Sequence, residues 1–308
     1  MISQAELDVQ MSWWAMSGLG KEGREWTIEE RFEKLAEAGF SGILAPMPQA
    51  GYDAVKWCRL LDHYRFSYGV QLVPFPKEGD DLTDQLRLAK SLGACYVNAQ
   101  VMGAYLPAER ACRMIISYIE QAGAADIPIY FETHRGRVTQ DLLRTTALVE
   151  AVPALRLTQD LSHYAAASAM EKEGCEVSEP LLRQLLARTS CIHARVSNGH
   201  QIQIDIGGQG DHPMVQLYAE WWAYGMRAWL KEQRRKHSRE AGCGPAPLAA
   251  PDTSTLKGDR FPFVCELGPA PYAITCTDGR EISDRWQQSL VLKEIGERLW
   301  NRIAREDY

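Results

Sequence analysis

Residues 127–160 read IPIYFETHRGRVTQDLLRTTALVEAVPALRLTQD, and the period of the apolar residues changes twice along them. Ile127 to Glu132 is a short, nearly continuous apolar run, which suits a strand covered on both faces. Thr139 to Val152 then repeats its apolar residues at helical spacing, and Leu155 to Asp160 returns to a short run. A strand, a helix and the next strand of a parallel sheet account for this order, because parallel neighbours need a long crossover between them. Both runs stop on a carboxylate, Glu132 and Asp160.

The same alternation extends in both directions. Val9 to Met16 precedes a helical segment, Ile28 to Ala38, opened by Thr27 with Glu30 as capping-box partner and stopped at Gly39. Gly42 to Met47 pairs with Tyr52 to Tyr64, Phe66 to Val73 with Leu82 to Leu92, and Cys95 to Val101 with Pro107 to Gly123. After Asp160, helical material covers Tyr164 to Met170 and Pro180 to Arg188. Cys191 to Val196 is followed by the Trp-containing helix Pro213 to Arg239, and Phe263 to Leu267 by Ile282 to Ile303.

Eight alternations predict an α/β fold, a (β/α)8 TIM barrel, as a single domain over residues 1–308. An open doubly wound sheet has the same alternation, but no GxGxxG or GxxxxGK[ST] follows any strand. The connection between strands seven and eight is enlarged: His193 and Glu266 are 73 positions apart, against 28 from Glu132 to Asp160. Residues 197–260 are therefore expected as an extended loop and helix insertion within the domain, with 241–258 as a surface loop. Tyr218, Trp221, Trp222, Tyr224 and Trp229 predict a helix packed on the barrel, with a homo-oligomer face as the alternative.

Composition sets the partners. Against 34 Lys+Arg stand 40 Asp+Glu, a net charge of −6, which offers no basic face for nucleic acid. No apolar stretch approaches the roughly 18 residues of a membrane span. Residues 1–10 contain Glu6 and Asp8 and do not read as a secretory leader, and the 8 Cys are scattered without CxxC pairs. The expectation is a cytoplasmic protein with neither membrane nor nucleic-acid partner.

Four of the last strands end alike: IPIYFE at Glu132, LRLTQD at Asp160, SCIH at His193 and FPFVCE at Glu266. One acidic residue at a strand end is more often a helix cap or an ion-pair partner. Four metal-capable side chains ending four consecutive strands are a more specific signal, since the C-terminal strand ends of a barrel share one mouth. Three carboxylates brought together repel one another, and a dication removes that penalty. An oxygen-rich set with one imidazole suits one divalent ion, Mn²⁺ first, with Mg²⁺, Co²⁺ or Zn²⁺ as alternatives.

On these residues the chain resembles the xylose isomerase-like TIM barrels, in particular the sugar phosphate isomerase/epimerase group, over most of its length. The resemblance implies a single divalent metal held by Glu132, Asp160, His193 and Glu266, with Glu132 and Glu266 as the catalytic pair. Asp160-Leu-Ser-His163 matches the DxxH of ketose 3-epimerases and inosose dehydratases, and Arg195 fits the basic residue after the strand-seven histidine. His163 and Arg195 would then bind substrate oxygens. Many relatives carry His-x-x-Asp after that strand, where this chain has Ser197.

The implied reaction is isomerisation or epimerisation of a sugar or sugar-like polyol, by proton transfer next to a carbonyl through a metal-stabilised enediolate. A dehydratase of the inosose type and a catalytically silent carbohydrate-binding barrel are the alternatives. Trp13 and Trp14, placed at the end of the first strand, are candidates to stack on a sugar ring, and at most one of two adjacent strand residues can face the mouth. Gln100 is a candidate hydroxyl contact, and His134 with Arg135 a candidate pair for an anionic group.

Overall fold

The computed structural model describes residues 5–21, 23–48, 54–170, 177–240 and 260–306. Eight parallel strands, β1 (Glu6–Ser12), β2 (Gly42–Ala45), β3 (Ser67–Gln71), β4 (Tyr96–Ala99), β5 (Ile129–Glu132), β6 (Leu157–Gln159), β7 (Thr189–Ala194) and β8 (Arg260–Cys265), form a closed barrel. Each strand pairs with its sequence neighbours, and β8 returns to β1 with Leu7 opposite Phe261 and Met11 opposite Cys265. The fold is a (β/α)8 barrel in one domain.

Nine helices among the described residues cover the outside: α1 (Ile28–Glu37), α2 (Ala54–Tyr64), α3 (Thr83–Ser91), α4 (Ala108–Ala124), α5 (Leu142–Ala151), α6 (Leu161–Ala167), α7 (Glu179–Leu186), α8 (Pro213–Glu240) and α9 (Arg285–Ile303). The capping box at α1 is present: the Thr27 hydroxyl accepts from the Glu30 amide while the Glu30 carboxylate accepts from the Thr27 amide. The connection from β7 to β8 holds α8, and the expected loop 241–258 lies outside the described residues, as does the expected helix start at Tyr52. No described helix is long and apolar enough to cross a membrane. The six described cysteines are unpaired, with Cys191 and Cys265 buried and Cys276 exposed.

Two of the boundaries that depart from the sequence expectation bear on the site. The first strand begins at Glu6 and ends at Ser12, so Trp13 and Trp14 lie beyond it. Trp13 still donates its amide to the Leu44 carbonyl at 2.8 Å, but the chain then tightens into a 3₁₀ turn over Trp14–Met16. The helix after β6 starts at Leu161 rather than Tyr164, because Asp160 caps it by accepting from the Ser162 amide at 3.1 Å.

The barrel interior explains why particular positions reach the mouth. Side chains alternate in and out along a strand. Leu44, Tyr96, Tyr130, Cys191 and Val264 form a separate buried cluster inside the barrel, distinct from the large core between strands and helices. Beneath it, Asp8 accepts from Ser41, Ser67 and Gln10, and Gln10 accepts from Tyr96, so this floor is hydrogen-bonded throughout. Two residues further along four of those strands stand Asn98, Glu132, His193 and Glu266, one layer above the plug. Phe261 and Phe263 alternate outward, where Trp229 and Trp222 of α8 meet them edge-on at ring distances of 5.3 and 5.4 Å. Tyr218, Trp221, Trp222 and Trp229 are buried in this packing, and Tyr224 is half-buried.

Candidate metal centre

Glu132 ends β5, Asp160 follows β6, His193 is the fifth residue of β7 and Glu266 follows β8. One ligand atom from each of the four lies within 4.8 Å of all the others, and all four side chains are buried. His193 Nδ1 lies 2.9 Å from Glu266 Oε2 and 3.7 Å from Glu132 Oε2. Glu132 belongs to a second such set with His134 and His163, whose imidazole rings are 3.7 Å apart.

Hydrogen bonds tie down the outer sides of these groups. Asn98 Nδ2 donates to Glu132 Oε2 at 2.6 Å and Gln100 Nε2 to Glu132 Oε1 at 3.0 Å. Ser12 Oγ donates to Glu266 Oε1 at 3.2 Å, and Arg195 donates from Nη2 to Glu266 Oε2 and from Nε to the Glu266 carbonyl, each at 2.9 Å. Asp160 spends Oδ1 on its helix, accepting from the Ser162 amide and hydroxyl. Its Oδ2 faces Arg195 Nη1 at 3.2 Å and His163 Nε2 at 3.4 Å. The helix-cap reading of Asp160 therefore holds for one oxygen and leaves the other to the cage.

Beyond these ion-pair contacts, several buried atoms make no hydrogen bond: Asp160 Oδ2, both nitrogens of His193, both of His163, and Arg195 Nη1. Buried polar atoms normally find partners, and leaving one without costs about 1–3 kcal/mol. A set of oxygen and imidazole donors turned toward one point and left unsatisfied fits a hard dication.

Surroundings set the protonation. Burial pushes Glu132 up to about 7, with Glu266 and Asp160 adding to the rise while His193 and Asn98 oppose it. Burial would also raise Glu266, but His193, Arg195 and Ser12 outweigh it and bring the group down to about 2. Asp160 is raised by burial. His193 is raised against burial by Glu266 and Glu132, so in the metal-free protein an imidazolium supplies the missing positive charge. Burial lowers His163, and lowers His134 to about 3, so both remain neutral.

At the mouth, Arg195 lies with its guanidinium carbon 4.7 Å from the Tyr272 ring centre and 5.6 Å from that of Trp14. Trp14 meets Tyr272 edge-on at 5.1 Å and lies flat against Gly268, where a Cβ would fall 1.9 Å from the ring. His134 Nε2 is 3.3 Å from the Tyr272 hydroxyl, and its Nδ1 is 2.5 Å from the Arg135 carbonyl. That carbonyl fixes Nδ1 as the protonated nitrogen. Arg135 itself is exposed, 5.8 Å from the Tyr272 ring centre.

Trp13 is not among these groups. It packs behind the barrel on Phe32 and Trp57, with Arg31 over its ring at 4.9 Å. Gln100 is engaged rather than free, because its Oε1 accepts from Arg137 Nη2 at 3.2 Å. Sequence reasoning missed Ser12, Asn98, Arg137 and Tyr272. For Asn98 a signal existed: Tyr-Val-Asn98 on β4 parallels Tyr-Phe-Glu132 on β5, a polar residue two positions after an inward tyrosine.

The chain is similar to D-allulose 3-epimerase from a Methylomonas species, with TM-score 0.58 and 15% identity over 97% of this chain and 100% of that one. It is similar to a xylose isomerase-like TIM barrel protein from Mycobacterium smegmatis in complex with magnesium (0.57, 12%, 98% and 100%). A third likeness is to 3-keto-D-glucoside 4-epimerase from E. coli (0.54, 12%, 95% and 100%). What is shared is the fold, a (β/α)8 barrel. No protein-family model matches the sequence, and no curated protein does.

Proposed function

We propose that the protein is a divalent-metal-dependent isomerase or epimerase acting on a sugar or sugar-like polyol. The observation that carries this is the convergence of Glu132, Asp160, His193 and Glu266, from four consecutive strands, with Asp160 Oδ2 and the His193 nitrogens making no hydrogen bond. The sugar epimerases that share the fold support the substrate class. The four residues would hold the ion, Mn²⁺ first, and the ion would supply Lewis-acid polarisation of a carbonyl and its neighbouring hydroxyl.

The chain's own groups do the rest. Glu132 and Glu266 stand three strands apart on the barrel wall, so they address a common point from different directions. One can remove a proton from a carbon beside the carbonyl while the other returns a proton on the other face. Asn98 and Gln100 fix the Glu132 carboxylate, and Ser12 and Arg195 fix that of Glu266. His163, buried and neutral, offers a nitrogen to a substrate oxygen, and Arg195 offers Nη1. Trp14 presents an apolar ring at the mouth, half in solvent, for the carbon face of the sugar.

The test is solvent deuterium incorporation. With Mn²⁺ present, a panel of ketoses incubated in D₂O should yield a substrate that gains deuterium beside its carbonyl without change in molecular composition. Glu132→Gln and Glu266→Gln should each abolish exchange. Exchange with no member of the panel, or exchange indifferent to both substitutions, overturns the assignment. Loss of water from the product would mark a dehydratase instead.

A further inference from the structure

The segment Glu132-Thr-His134-Arg135-Gly136-Arg137 carries two guanidiniums that the metal cage does not use. The Arg137 amide donates to the His134 carbonyl at 3.2 Å, closing a four-residue turn, and Gly136 takes the third position with φ +72. A positive φ there favours glycine, so the turn places its arginines in the second and fourth positions, both at the mouth. Aromatic rings hold them: Arg137 lies 4.6 Å from the centre of Phe75 and Arg135 lies 5.8 Å from that of Tyr272.

Neither arginine makes an ion pair with any described residue, whereas Arg195 is 2.9 Å from Glu266 and 3.2 Å from Asp160. Arg137 donates from Nη2 to Gln100 and from Nη1 to the Gly136 carbonyl, and its Nε is shut off from solvent with no acceptor. The Arg137–Gln100–Glu132 chain of hydrogen bonds couples this turn directly to the cage. Charge points the same way. Three carboxylates, Arg195 and one dication cancel, so Arg135 and Arg137 leave the loaded mouth positive, which attracts an anion.

We infer that Arg135 and Arg137 form an oxyanion subsite beside the metal cage, so that the substrate is a sugar derivative bearing a carboxylate or phosphate. This rests on the metal-dependent sugar reading above and narrows it. The distance along the Gln100 relay places the charged group away from the reacting carbon, at one end of the molecule. A planar guanidinium suits either kind of oxyanion, through paired N–H donors.

Binding to the Mn²⁺-loaded protein tests it by calorimetry, with D-gluconate and D-glucitol as probes that share a carbon chain and differ in the carboxylate. Gluconate should bind at least about tenfold more tightly than glucitol, weaken with added salt and be displaced by inorganic phosphate. The Arg135→Gln/Arg137→Gln double variant should lose that preference, and Arg135→Gln, which removes no hydrogen bond to the cage, should weaken it while its Mn²⁺ affinity stays within about threefold of wild type. Arg135→Gln alone, on an exposed turn, gives a second readout if the double variant fails to fold. Comparing gluconate with D-glucitol 6-phosphate separates the two oxyanions.

Equal binding of gluconate and glucitol, retention of the preference in the variants, or no binding of either gluconate or phosphate overturns the inference. Failure to bind Mn²⁺ is a different result. It sinks the metal reading, and phosphate binding to the metal-free protein, lost in the variants, still decides the subsite.

Discussion

Arg195 separates two accounts of how the centre is held together. It is fully buried, donates twice to Glu266, faces Asp160 at 3.2 Å, and lies against the rings of Trp14 and Tyr272. Arg195→Met keeps a long side chain against those rings and removes the charge. In the metal-free protein three carboxylates would then share one buried space with only His193 as counter-charge. Removing one partner from a buried pair costs about 3–5 kcal/mol.

A bound dication takes over that compensation. In saturating Mn²⁺ the stability gap between variant and wild type should therefore narrow by about 2 kcal/mol, and linkage then requires about thirtyfold tighter Mn²⁺ binding by the variant, at about 1.4 kcal/mol per tenfold. Urea unfolding after chelation and again in Mn²⁺, with calorimetric titration of the ion, measures both sides of this cycle. An equal gap with and without Mn²⁺ would refute the reasoning. It would mean that Arg195 matters for packing between Trp14 and Tyr272 and not for charge.

Further expectations concern single groups. Because the ion must displace the proton of the His193 imidazolium and compete with a proton for Glu132, which titrates near 7 in the metal-free protein, Mn²⁺ affinity should fall as pH drops from 8 to 6, with between about one and two protons released per ion, read by calorimetry in two buffers. His134 is lowered from 6.5 to about 3, so its contribution to stability is present above 6.5 and lost as pH falls toward 3. His134→Asn should accordingly flatten the acid limb of the stability profile by a few kcal/mol, on the order of 1.4 kcal/mol for each pH unit. Gly268→Ala drives a methyl into the Trp14 ring, so KM for the sugar should rise about tenfold with kcat held and the melting temperature little changed. Trp222→Ala empties the contact with Phe263 and Tyr218 and should cost about 3–5 kcal/mol in urea unfolding.

The barrel was legible because parallel strands buried on both faces read as apolar runs, and these recur eight times with helical material between them. The clustering of four residues was legible because a strand end is a position that sequence can mark: Glu132, Asp160, His193 and Glu266 each close such a run. What failed were features set by tertiary contact. The turn after Ser12 is invisible in Trp13 and Trp14 themselves, and it decides which tryptophan sees the mouth. Asn98 and Ser12 resemble any polar residue at a strand end until their donors are found on Glu132 and Glu266. Tyr272 lies in the loop after β8 and touches Arg195, His134 and Trp14 only because that loop folds back over the barrel.

The two glutamates show why one barrel layer need not supply equivalent groups. Both stand in one layer of the barrel, and both are buried, so burial alone would raise both. Their partners differ in kind. Glu132 accepts from the amides of Asn98 and Gln100, neutral donors that orient a carboxylate without neutralising it. Glu266 accepts from Arg195 and stands 2.9 Å from His193, so two positive charges stabilise its anion. In the metal-free protein one carboxyl therefore titrates near 7 and the other near 2. Acid–base work by a pair of carboxyls needs one that holds a proton and one that takes it, and the off-centre placement of His193 separates the two here. That difference is written first by His193, nearer to Glu266 than to Glu132, and then by Arg195 standing behind the cage.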